Sequence, residues 1–404
     1  MTDRPRPDTG RNSGIHRLKA AKATICAVVL TMCSPAANAA RTTITPAIPS
    51  AQDAPIALLI DLSSGQTLFA RDIDRRFMPA SMTKVMTVFT AFEWMHRGKL
   101  FPQQVITVAP DVFDKWHGVG STMFLPKDAR VTVDQLLHGI TTVSANDGAA
   151  ALAHGAAGSI AKWVAAMNRE ARSIGMTNSH YGTPNGWMDQ GGTFVTARDL
   201  ATLATAMIER YPDLYRRYFG ARTLTYNGIT QRNHDPITGV VPGADGIKTG
   251  FTNQAGYGFL GSAQRNGRRL VMVVATSPTG RQRNKAAQEF MEWGFDAFDS
   301  RLLFGANTQI AKAKVQNGGL SRVKLVSPRP IRVDVPKGTH PEVGLKVRYF
   351  GPLRAPIARG EHVADLIVSV DGKEVGTRPL VSDRAIGTAT IVQRIFNGFA
   401  RWLP

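Results

Sequence analysis

The sequence predicts an α+β domain built on an antiparallel sheet, followed by a small all-β sandwich and a terminal amphipathic helix. In residues 54–304, strand patterns stand at both ends and helical patterns lie between them. Residues 305–384 show short alternating apolar and polar runs separated by Pro and Gly. Residues 385–404 carry apolar side chains at helical spacing. The 404 residues allow two domains, because single cores rarely grow beyond about 250–300 residues.

The N-terminus has the pattern of an export signal. Residues 1–39 begin with a basic segment, continue with an apolar run from Ala23 to Cys33, and end in small residues. A run this short cannot span the roughly 30 Å hydrocarbon core of a bilayer as a helix. We therefore expect cleavage before Ala40 and a flexible leader over residues 40–53. An uncleaved N-terminal anchor is the alternative.

The chain is strongly basic, with 49 Lys and Arg against 30 Asp and Glu and a net charge of +19. Loss of residues 1–39, which hold six basic and two acidic residues, would leave +15. Such a charge favours an anionic partner, either nucleic acid, anionic lipid or an acidic polymer. Export and the lack of a dense basic and aromatic motif argue against nucleic acid. Both cysteines, Cys26 and Cys33, precede residue 40, so we expect no disulfide after cleavage.

Turn residues and apolar periodicity predict the elements of the first domain. They indicate a hairpin around Ser63–Gly65, a helix between Pro79 and Gly98, a helical region interrupted at Ser144–Asn146, helices at Ile160–Ser173 and from Thr196, a hairpin around Arg265–Gly267, and a last helix ending near Phe298. Because the strands come from both ends of the domain, we expect the sheet to join distant parts of the chain.

The last residues predict a basic, aromatic-rich helix. Its apolar face would consist of Ile391, Val392, Ile395, Phe396, Phe399, Trp402 and Leu403. Arginines on the opposite face and the interfacial Trp favour attachment to a membrane surface. Docking on the protein's own core is the alternative, because amphipathic faces usually bury internally.

Three short motifs carry the predicted chemistry. Ser81-Met82-Thr83-Lys84 stands at the start of a predicted helix, Ser144-Ala145-Asn146 at the helix break, and Lys248-Thr249-Gly250 before a predicted strand. Each motif alone is explained equally well by a structural role, as a helix cap, a turn or a loop. Their joint occurrence in this order is typical of β-lactamases and penicillin-binding proteins.

The residue types fit nucleophilic catalysis by a serine. Positions i and i+3 share a helix face, so Lys84 can reach the Ser81 hydroxyl and act as its base if its pKa is lowered. Lys248 is the nearby cation that would lower it. Ser144 can pass a proton to the leaving amine, and Asn146 can hold a substrate amide. No His or carboxylate cluster has metal-ligand spacing in the sequence, so we expect neither a metal nor a cofactor.

Long stretches of the sequence resemble the D-alanyl-D-alanine carboxypeptidases, the low-molecular-mass penicillin-binding proteins of the S11 serine peptidase type. The resemblance includes RRFMPASMTKVMT, STMFLPKDARVTVDQLLHGITTVSANDGAAAL and GADGIKTGFTNQAGYGFLGSA, and it extends to the β-rich region and the terminal helix. It implies a penicillin-binding/β-lactamase-like transpeptidase domain that removes the terminal D-alanine from peptidoglycan pentapeptides and is acylated by penicillins.

The resemblance also implies roles for individual residues. Ser81 and Lys84 match the nucleophile and its base, Ser144 and Asn146 the second element, and Lys248, Thr249 and Gly250 the third. Phe251 matches the residue whose backbone N–H completes the oxyanion hole. Arg283 matches a residue that holds the substrate carboxylate, with Arg281 and a solvated role as alternatives. Trp187, where the family usually has a smaller aliphatic residue, and SPTGRQRN, which lacks the usual glycine pair, depart from the pattern.

The implied partners are peptidoglycan stem peptides, β-lactam antibiotics and, through the terminal helix, anionic lipid on the periplasmic face of the inner membrane. Endopeptidase or transpeptidase activity on the same site stays open, as do a β-lactamase and a non-catalytic scaffold. A β-lactamase usually needs a carboxylate over the acyl-enzyme, and the acidic residues between the second and third motifs form no Glu-x-x-Asn element. They include Glu170, Asp189, Asp199 and Glu209.

Overall fold

The fold is taken from a computed structural model, which describes residues 44–390. The first domain contains nine strands and eight α-helices within these residues. Its strands are β1 (Ile56–Asp61), β2 (Gln66–Arg71), β3 (Val105–Thr107), β4 (Arg130–Thr132), β5 (Thr223–Tyr226), β6 (Ile229–Arg232), β7 (Ala244–Thr252), β8 (Gly256–Arg265) and β9 (Arg268–Ser277). Its helices are α1 (Thr83–His96), α2 (Pro110–Trp116), α3 (Val133–Thr142), α4 (Asn146–Ala157), α5 (Ile160–Ser173), α6 (Ala197–Arg210), α7 (Pro212–Tyr218) and α8 (Gly280–Asp296).

Five of these strands form an antiparallel sheet in the order β2-β1-β9-β8-β7. The predicted hairpins around Ser63–Gly65 and Arg265–Gly267 are confirmed as the β1–β2 and β8–β9 connections. β1 pairs with β9, so that Leu58 lies opposite Val273. The sheet therefore joins distant parts of the chain, as expected. β7 lies at its edge, which leaves one side of this strand open to other elements.

Strand β9 separates two hydrophobic cores. Val271 and Val273 belong to the core that contains α1 and α3–α6, whereas Leu270 and Met272 belong to the core under α8. Successive side chains of a strand point to opposite faces of the sheet. The continuous apolar run of β9 is thus explained by burial on both faces.

The helical region is interrupted at the position that the sequence predicts. Helix α3 begins with a capping box between Thr132 and Gln135 and ends at Thr142, and α4 begins at Asn146. Between them, Ser144 has a φ of 63°, a left-handed conformation uncommon for residues other than glycine. This sharp turn lets the junction of α3 and α4 face the edge strand β7 across a cleft.

The second domain is all-β, as predicted. Its strands are β10 (Phe298–Phe304), β11 (Gln309–Gln316), β12 (Arg322–Val326), β13 (Ile331–Pro336), β14 (Val343–Arg348), β15 (Leu353–Arg354), β16 (His362–Val370) and β17 (Lys373–Ser382). A six-stranded sheet has the order β14-β16-β17-β12-β11-β15, and β10 pairs with β13 in a second sheet. Leu325, Val333 and Leu366 lie in the core that these strands enclose.

The structure differs from both predicted boundaries of the second domain. We predicted that the domain begins at residue 305, but β10 already pairs with β13 from Phe298 onward. We predicted a helix from residue 385, whereas residues 385–390 are extended, and Ile386 forms a bridge with Ile357. The remainder of that helix, the export signal and the first part of the leader lie outside the described residues. No helix within residues 44–390 has the length and hydrophobicity that would let it cross a membrane.

A group of five polar side chains joins the two domains, and we call it the interdomain cluster: Asp61, Ser64, Gln66, Arg268 and Asp334. Both carboxylates are buried. Arg268 Nε donates to Asp61 Oδ2 at 2.9 Å, and Gln66 Nε2 donates to the Asp334 carbonyl at 2.9 Å. Ser64 Oγ donates to Asp334 Oδ2. Burial, with repulsion from Asp61, raises the pKa of Asp334 to about 6.

Candidate active site

The serine of the first motif lies in a tight turn at the start of α1. Residues Ala80–Met82 form a 3₁₀ turn that leads directly into the helix. Two glycines allow other segments to pack against this turn: a Cβ on Gly250 would collide with the Pro79 carbonyl, and one on Gly186 with the Ala80 carbonyl. Edge strand β7 and the loop that contains Gly186 therefore approach Ser81 more closely than larger residues would permit.

Lys84 lies one turn after Ser81, in the first turn of α1, and is completely buried. Its Nζ is 2.9 Å from Ser81 Oγ, 2.7 Å from Asn146 Oδ1 and 2.8 Å from the Asn185 carbonyl oxygen. Burial lowers the pKa of Lys84 well below its ordinary value, and the positive charge of Lys248 lowers it further. The amine is thus within hydrogen-bond distance of the serine hydroxyl, as a general base requires, and the lowered pKa favours its neutral form.

The second motif forms the opposite wall of the cleft. Asn146 is held on both sides, because its N–H donates to the Ser121 carbonyl at 2.7 Å and its Nδ2 donates to the Val119 carbonyl at 2.9 Å. Asp147 accepts hydrogen bonds from the backbone N–H groups of residues 123 and 125. These contacts fix the loop over residues 119–125 against the start of α4, and Ser144 and Asn146 both line the cleft.

The third motif lies on β7. Lys248 is buried, and its Nζ donates to the Thr249 carbonyl at 3.1 Å. Burial lowers the pKa of Lys248 to about 7, with a further contribution from Arg283 that Asp235 opposes. Two lysines are therefore close together in a region of low dielectric, where both cannot easily be charged.

Arg283 extends the group of cations from helix α8. Its side chain is buried, lines the cleft and donates to the Gly258 carbonyl at 2.8 Å, whereas Arg281 is exposed and does not line it. Burial lowers the pKa of Arg283 to about 10. Of the two arginines considered from the sequence, Arg283 is the one whose position fits contact with a substrate.

The cleft has a volume of about 490 Å³. It brings together seven of the nine predicted site residues, and the other two, Lys84 and Lys248, lie buried beneath it. The seven are Ser81, Ser144, Asn146, Thr249, Gly250, Phe251 and Arg283. Glu170, Asp189, Asp199 and Glu209 are not among the residues that line this cleft in the described part of the chain.

Aromatic side chains form two walls of the cleft. Phe251, which is 47% exposed, stacks on Tyr257 with 4.1 Å between ring centroids. On the other side, Trp187 packs edge-on against Trp116 and covers Gly120. The departure noted at Trp187 therefore affects the lining of the cleft itself.

Several further lining residues were not predicted from the sequence, among them Asn185, His234 and Tyr257. Asn185 contributes a backbone carbonyl to Lys84, a role independent of side-chain identity and so without a sequence signal. His234 stands in a polar turn before β7, and only its position next to Lys248 and Arg283 distinguishes it from a surface histidine. Among residues 44–390, no group of His, Cys, Asp or Glu side chains could hold a metal ion.

Comparison with known sequences identifies both domains. The peptidase S11 family, described as D-alanyl-D-alanine carboxypeptidase, matches residues 41–279, and the C-terminal domain of penicillin-binding protein 5 matches residues 298–388. The D-alanyl-D-alanine carboxypeptidase DacA of Haemophilus influenzae is 31% identical over 345 residues, which cover 84% of this chain and 87% of that protein. DacA of Escherichia coli K12 is 32% identical over 346 residues, with 84% and 85% covered.

Solved structures agree with this assignment. Penicillin-binding protein 5 from Haemophilus influenzae superposes with a TM-score of 0.73 at 30% identity, covering 84% of this chain and 99% of that one. Penicillin-binding protein D2 from Listeria monocytogenes, in its ampicillin-bound form, has a TM-score of 0.54 at 27% identity and covers 60% of this chain and 98% of that one. On this sequence and structural likeness, the chain belongs to the S11 family of D-alanyl-D-alanine carboxypeptidases.

Proposed function

We propose that this serine-type D-alanyl-D-alanine carboxypeptidase trims peptidoglycan pentapeptides through an acyl-enzyme on Ser81, with Lys84 as the base. The observation that carries the proposal is the position of Lys84 Nζ, buried and 2.9 Å from Ser81 Oγ. A serine hydroxyl is a weak nucleophile until a neighbouring base accepts its proton. A lysine accepts that proton only when it is neutral, and burial beside Lys248 favours the neutral form.

In acylation, Lys84 accepts the Ser81 proton while Oγ forms a bond to the carbonyl carbon of the penultimate D-alanine. The resulting oxyanion is stabilised by the backbone N–H groups of Ser81 and Phe251. The position of β7 at the sheet edge, packed against the serine turn through Gly250, supports this role. The C–N bond then breaks, and the proton passes from Lys84 through the Ser144 hydroxyl to the amine of the departing D-alanine.

In deacylation, a water molecule replaces the departed D-alanine. Lys84 accepts a proton from this water as its oxygen attacks the ester carbonyl, and the same proton returns to Ser81 Oγ when the ester bond breaks. Serine and lysine are thereby restored, and the shortened peptide leaves as a carboxylate once its new carboxyl group has lost the second proton of the water to solvent. None of the carboxylates at Glu170, Asp189, Asp199 and Glu209 lines the described cleft, so a lysine rather than an acid would activate the water.

Substrate binding uses the opposite charge of the two partners. Lys248, Thr249 and Arg283 form a cationic end of the cleft that suits the terminal carboxylate of a D-alanyl-D-alanine peptide. Asn146 would hold the amide of the preceding residue. The ampicillin-bound form of the Listeria monocytogenes relative supports β-lactams, which also carry a carboxylate beside a reactive carbonyl, as ligands of the same cleft.

For cellular location, the proposal is export through residues 1–39 and attachment of the last helix to anionic lipid on the periplasmic face of the inner membrane. The net charge of +15 after cleavage supports attraction to an anionic surface. The full-length chain should co-sediment with phosphatidylglycerol vesicles and not with phosphatidylcholine vesicles, and Trp402→Ser should weaken this binding. Equal sedimentation of both proteins with either lipid would contradict the proposal.

The catalytic proposal is tested by intact-protein mass spectrometry after incubation with benzylpenicillin. The wild type and Ser321→Ala, a change at an exposed serine of the second domain, should gain one covalent adduct, and Ser81→Ala should gain none. In parallel, D-alanine release from a pentapeptide should require Ser81. Cleavage of cross-linked dimers without D-alanine release would indicate an endopeptidase, and rapid penicillin turnover without it would indicate a β-lactamase.

A further inference from the structure

His234 lies at the cationic end of the cleft, outside all three motifs. It lines the same cavity as Ser81, Thr249 and Arg283. Within residues 44–390, neither ring nitrogen of His234 has a hydrogen-bond partner, so the imidazole is free to contact a ligand. Its position has no explanation in the packing of the core, because much of the side chain is accessible to solvent.

The turn that carries His234 is held in place on both sides. The Asn233 N–H donates to the Arg222 carbonyl at 2.8 Å, and Asn233 Nδ2 donates to the Ala221 carbonyl at 2.7 Å. After the histidine, the Asp235 carboxylate accepts from the backbone N–H groups of Ile237 and Thr238. A histidine between two anchored residues is presented to the cleft with little conformational freedom to lose on binding.

The same turn is tied to the helix that carries Arg283. Gln288 Nε2 of α8 donates to the Pro236 carbonyl at 2.8 Å. His234, Arg283 and the buried Lys248 of β7 therefore form one end of the cleft from three different elements. This arrangement fixes the imidazole relative to both cations.

Charge at this end of the cleft is unbalanced. Lys248 faces His234 from β7 and Arg283 faces it from α8, and Asp235, the carboxylate that acts on both cations, belongs to the histidine's own turn. The oxygens of Asp235 already accept hydrogen bonds from Ile237 and Thr238. An anion that enters from solvent would find three basic groups and no free carboxylate.

We infer that His234 is a further positioning residue for the terminal carboxylate of the substrate, and that it takes up a proton when this carboxylate binds. The inference rests on the proposed function. In the free enzyme, partial withdrawal from water and repulsion by Lys248 and Arg283 lower the pKa of His234, which favours the neutral ring. A bound carboxylate offsets that repulsion and favours the imidazolium. By linkage, substrate affinity then increases as pH falls, by at most about tenfold per pH unit.

Two substitutions at His234 test this inference by steady-state kinetics between pH 5.5 and 8. His234→Gln keeps a hydrogen-bond donor that cannot gain a proton, and His234→Arg keeps a permanent charge. The kcat/KM of the wild type, divided by that of His234→Gln, should rise severalfold as pH falls. The change should come from KM rather than kcat. The kcat/KM of His234→Arg, divided by that of His234→Gln, should not rise in this way. Lys84 and Lys248 titrate in all three proteins, so the ratios isolate position 234.

Calorimetry separates failure of this inference from failure of the proposed function. In a Ser81→Ala background, binding of an acyl-D-alanyl-D-alanine peptide should take up a fraction of a proton, measured in buffers of different ionisation enthalpy. The uptake should decrease with His234→Gln, because Lys248 alone would then respond to the carboxylate, and it should be lost with a peptide whose C-terminus is a carboxamide.

If the wild type releases D-alanine but its kcat/KM relative to that of His234→Gln does not change with pH, only the role of His234 is overturned. Proton uptake that persists with the carboxamide peptide would also overturn it. A wild type that releases no D-alanine at any pH would instead overturn the proposed function.

Discussion

The active-site cleft and the interdomain cluster both bury charged side chains of like sign, but the sign differs. The cleft holds Lys84 and Lys248, and the cluster holds Asp61 and Asp334. In each region, burial and repulsion shift a pKa toward the neutral form: downward for the two lysines, and upward for Asp334. The same physical effect therefore operates in both regions.

The two regions differ in the groups that surround their buried charges. In the cluster, Arg268 contacts Asp61 at 2.9 Å and lies 3.6 Å from Asp334, while Ser64 and Gln66 bind the remaining polar atoms. In the cleft, the space beside the lysines is open to ligand. A like-charged pair enclosed by partners specifies how two domains join, whereas one left open can exchange protons with a substrate.

The largest effect is expected from Lys84→Arg, which keeps a long nitrogen-bearing side chain but removes the base. A guanidinium stays protonated throughout the working pH range and cannot accept the Ser81 proton. We expect the second-order rate of acylation by benzylpenicillin to fall by about 10³-fold, within the range that general bases contribute. Stopped-flow or gel-based acylation assays measure this, with Lys99→Arg at an exposed lysine as the control. Retention of the rate within tenfold would assign the base to another group.

A smaller effect, on pH dependence, is expected from Lys248→Arg. The pKa of Lys248 is lowered to about 7, and its protonated form is the one that attracts the substrate carboxylate. Wild-type kcat/KM should therefore decrease as pH rises through about 7, by roughly tenfold per unit at the limit. Lys248→Arg should remove this alkaline limb, because arginine keeps its proton. Superimposable profiles between pH 6 and 9 would show that Lys248 is not the titrating cation.

Much of the first domain could be predicted because its signals are local. The turn residues at Arg265–Gly267 and the apolar spacing of Ile160–Ser173 depend on neighbours in sequence, and both elements appear at these positions. The i, i+3 spacing of Ser81 and Lys84 also predicted that Lys84 reaches the Ser81 hydroxyl, and the two atoms are 2.9 Å apart. Their catalytic roles stay predictions.

The features that were not predicted depend on contacts between distant residues. Asp334 meets Ser64 across 270 positions, and nothing in the local pattern of either strand indicates a buried polar pair. The start of the second domain was misplaced by seven residues because the pairing of β10 with β13 is not visible in the short run before Gly305. His234 likewise acquires its surroundings from β7 and α8.

A stability effect is expected from Asp334→Asn, which removes one charge from the enclosed pair. Because the folded-state pKa of Asp334 is raised to about 6, the native state binds a proton more tightly than the unfolded chain. Wild-type stability should thus increase as pH falls from 7.5 towards 5, by about 1.4 kcal/mol. Asp334→Asn should lose this dependence and be more stable than wild type above pH 7. Urea unfolding across this pH range measures the free energy of unfolding of both proteins. The same pH dependence in both would contradict the explanation that burial beside Asp61 raises the pKa of Asp334.

The smallest effect is expected from Asp74→Asn, which removes a charge from an exposed ion pair. Arg198 Nε donates to Asp74 Oδ1 at 2.7 Å, yet the side chains are 58% and 61% exposed. The hydrogen bond from Arg198 lowers the pKa of Asp74, so any stabilisation would be lost as pH falls through that pKa, the opposite direction to Asp334. Because water and salt screen such a pair, we expect Tm to change by less than about 1 °C and acylation to be unchanged. A clear decrease in Tm would mean that an exposed ion pair with good geometry stabilises this protein without burial. The difference between the open cleft and the enclosed interdomain cluster would then need another explanation.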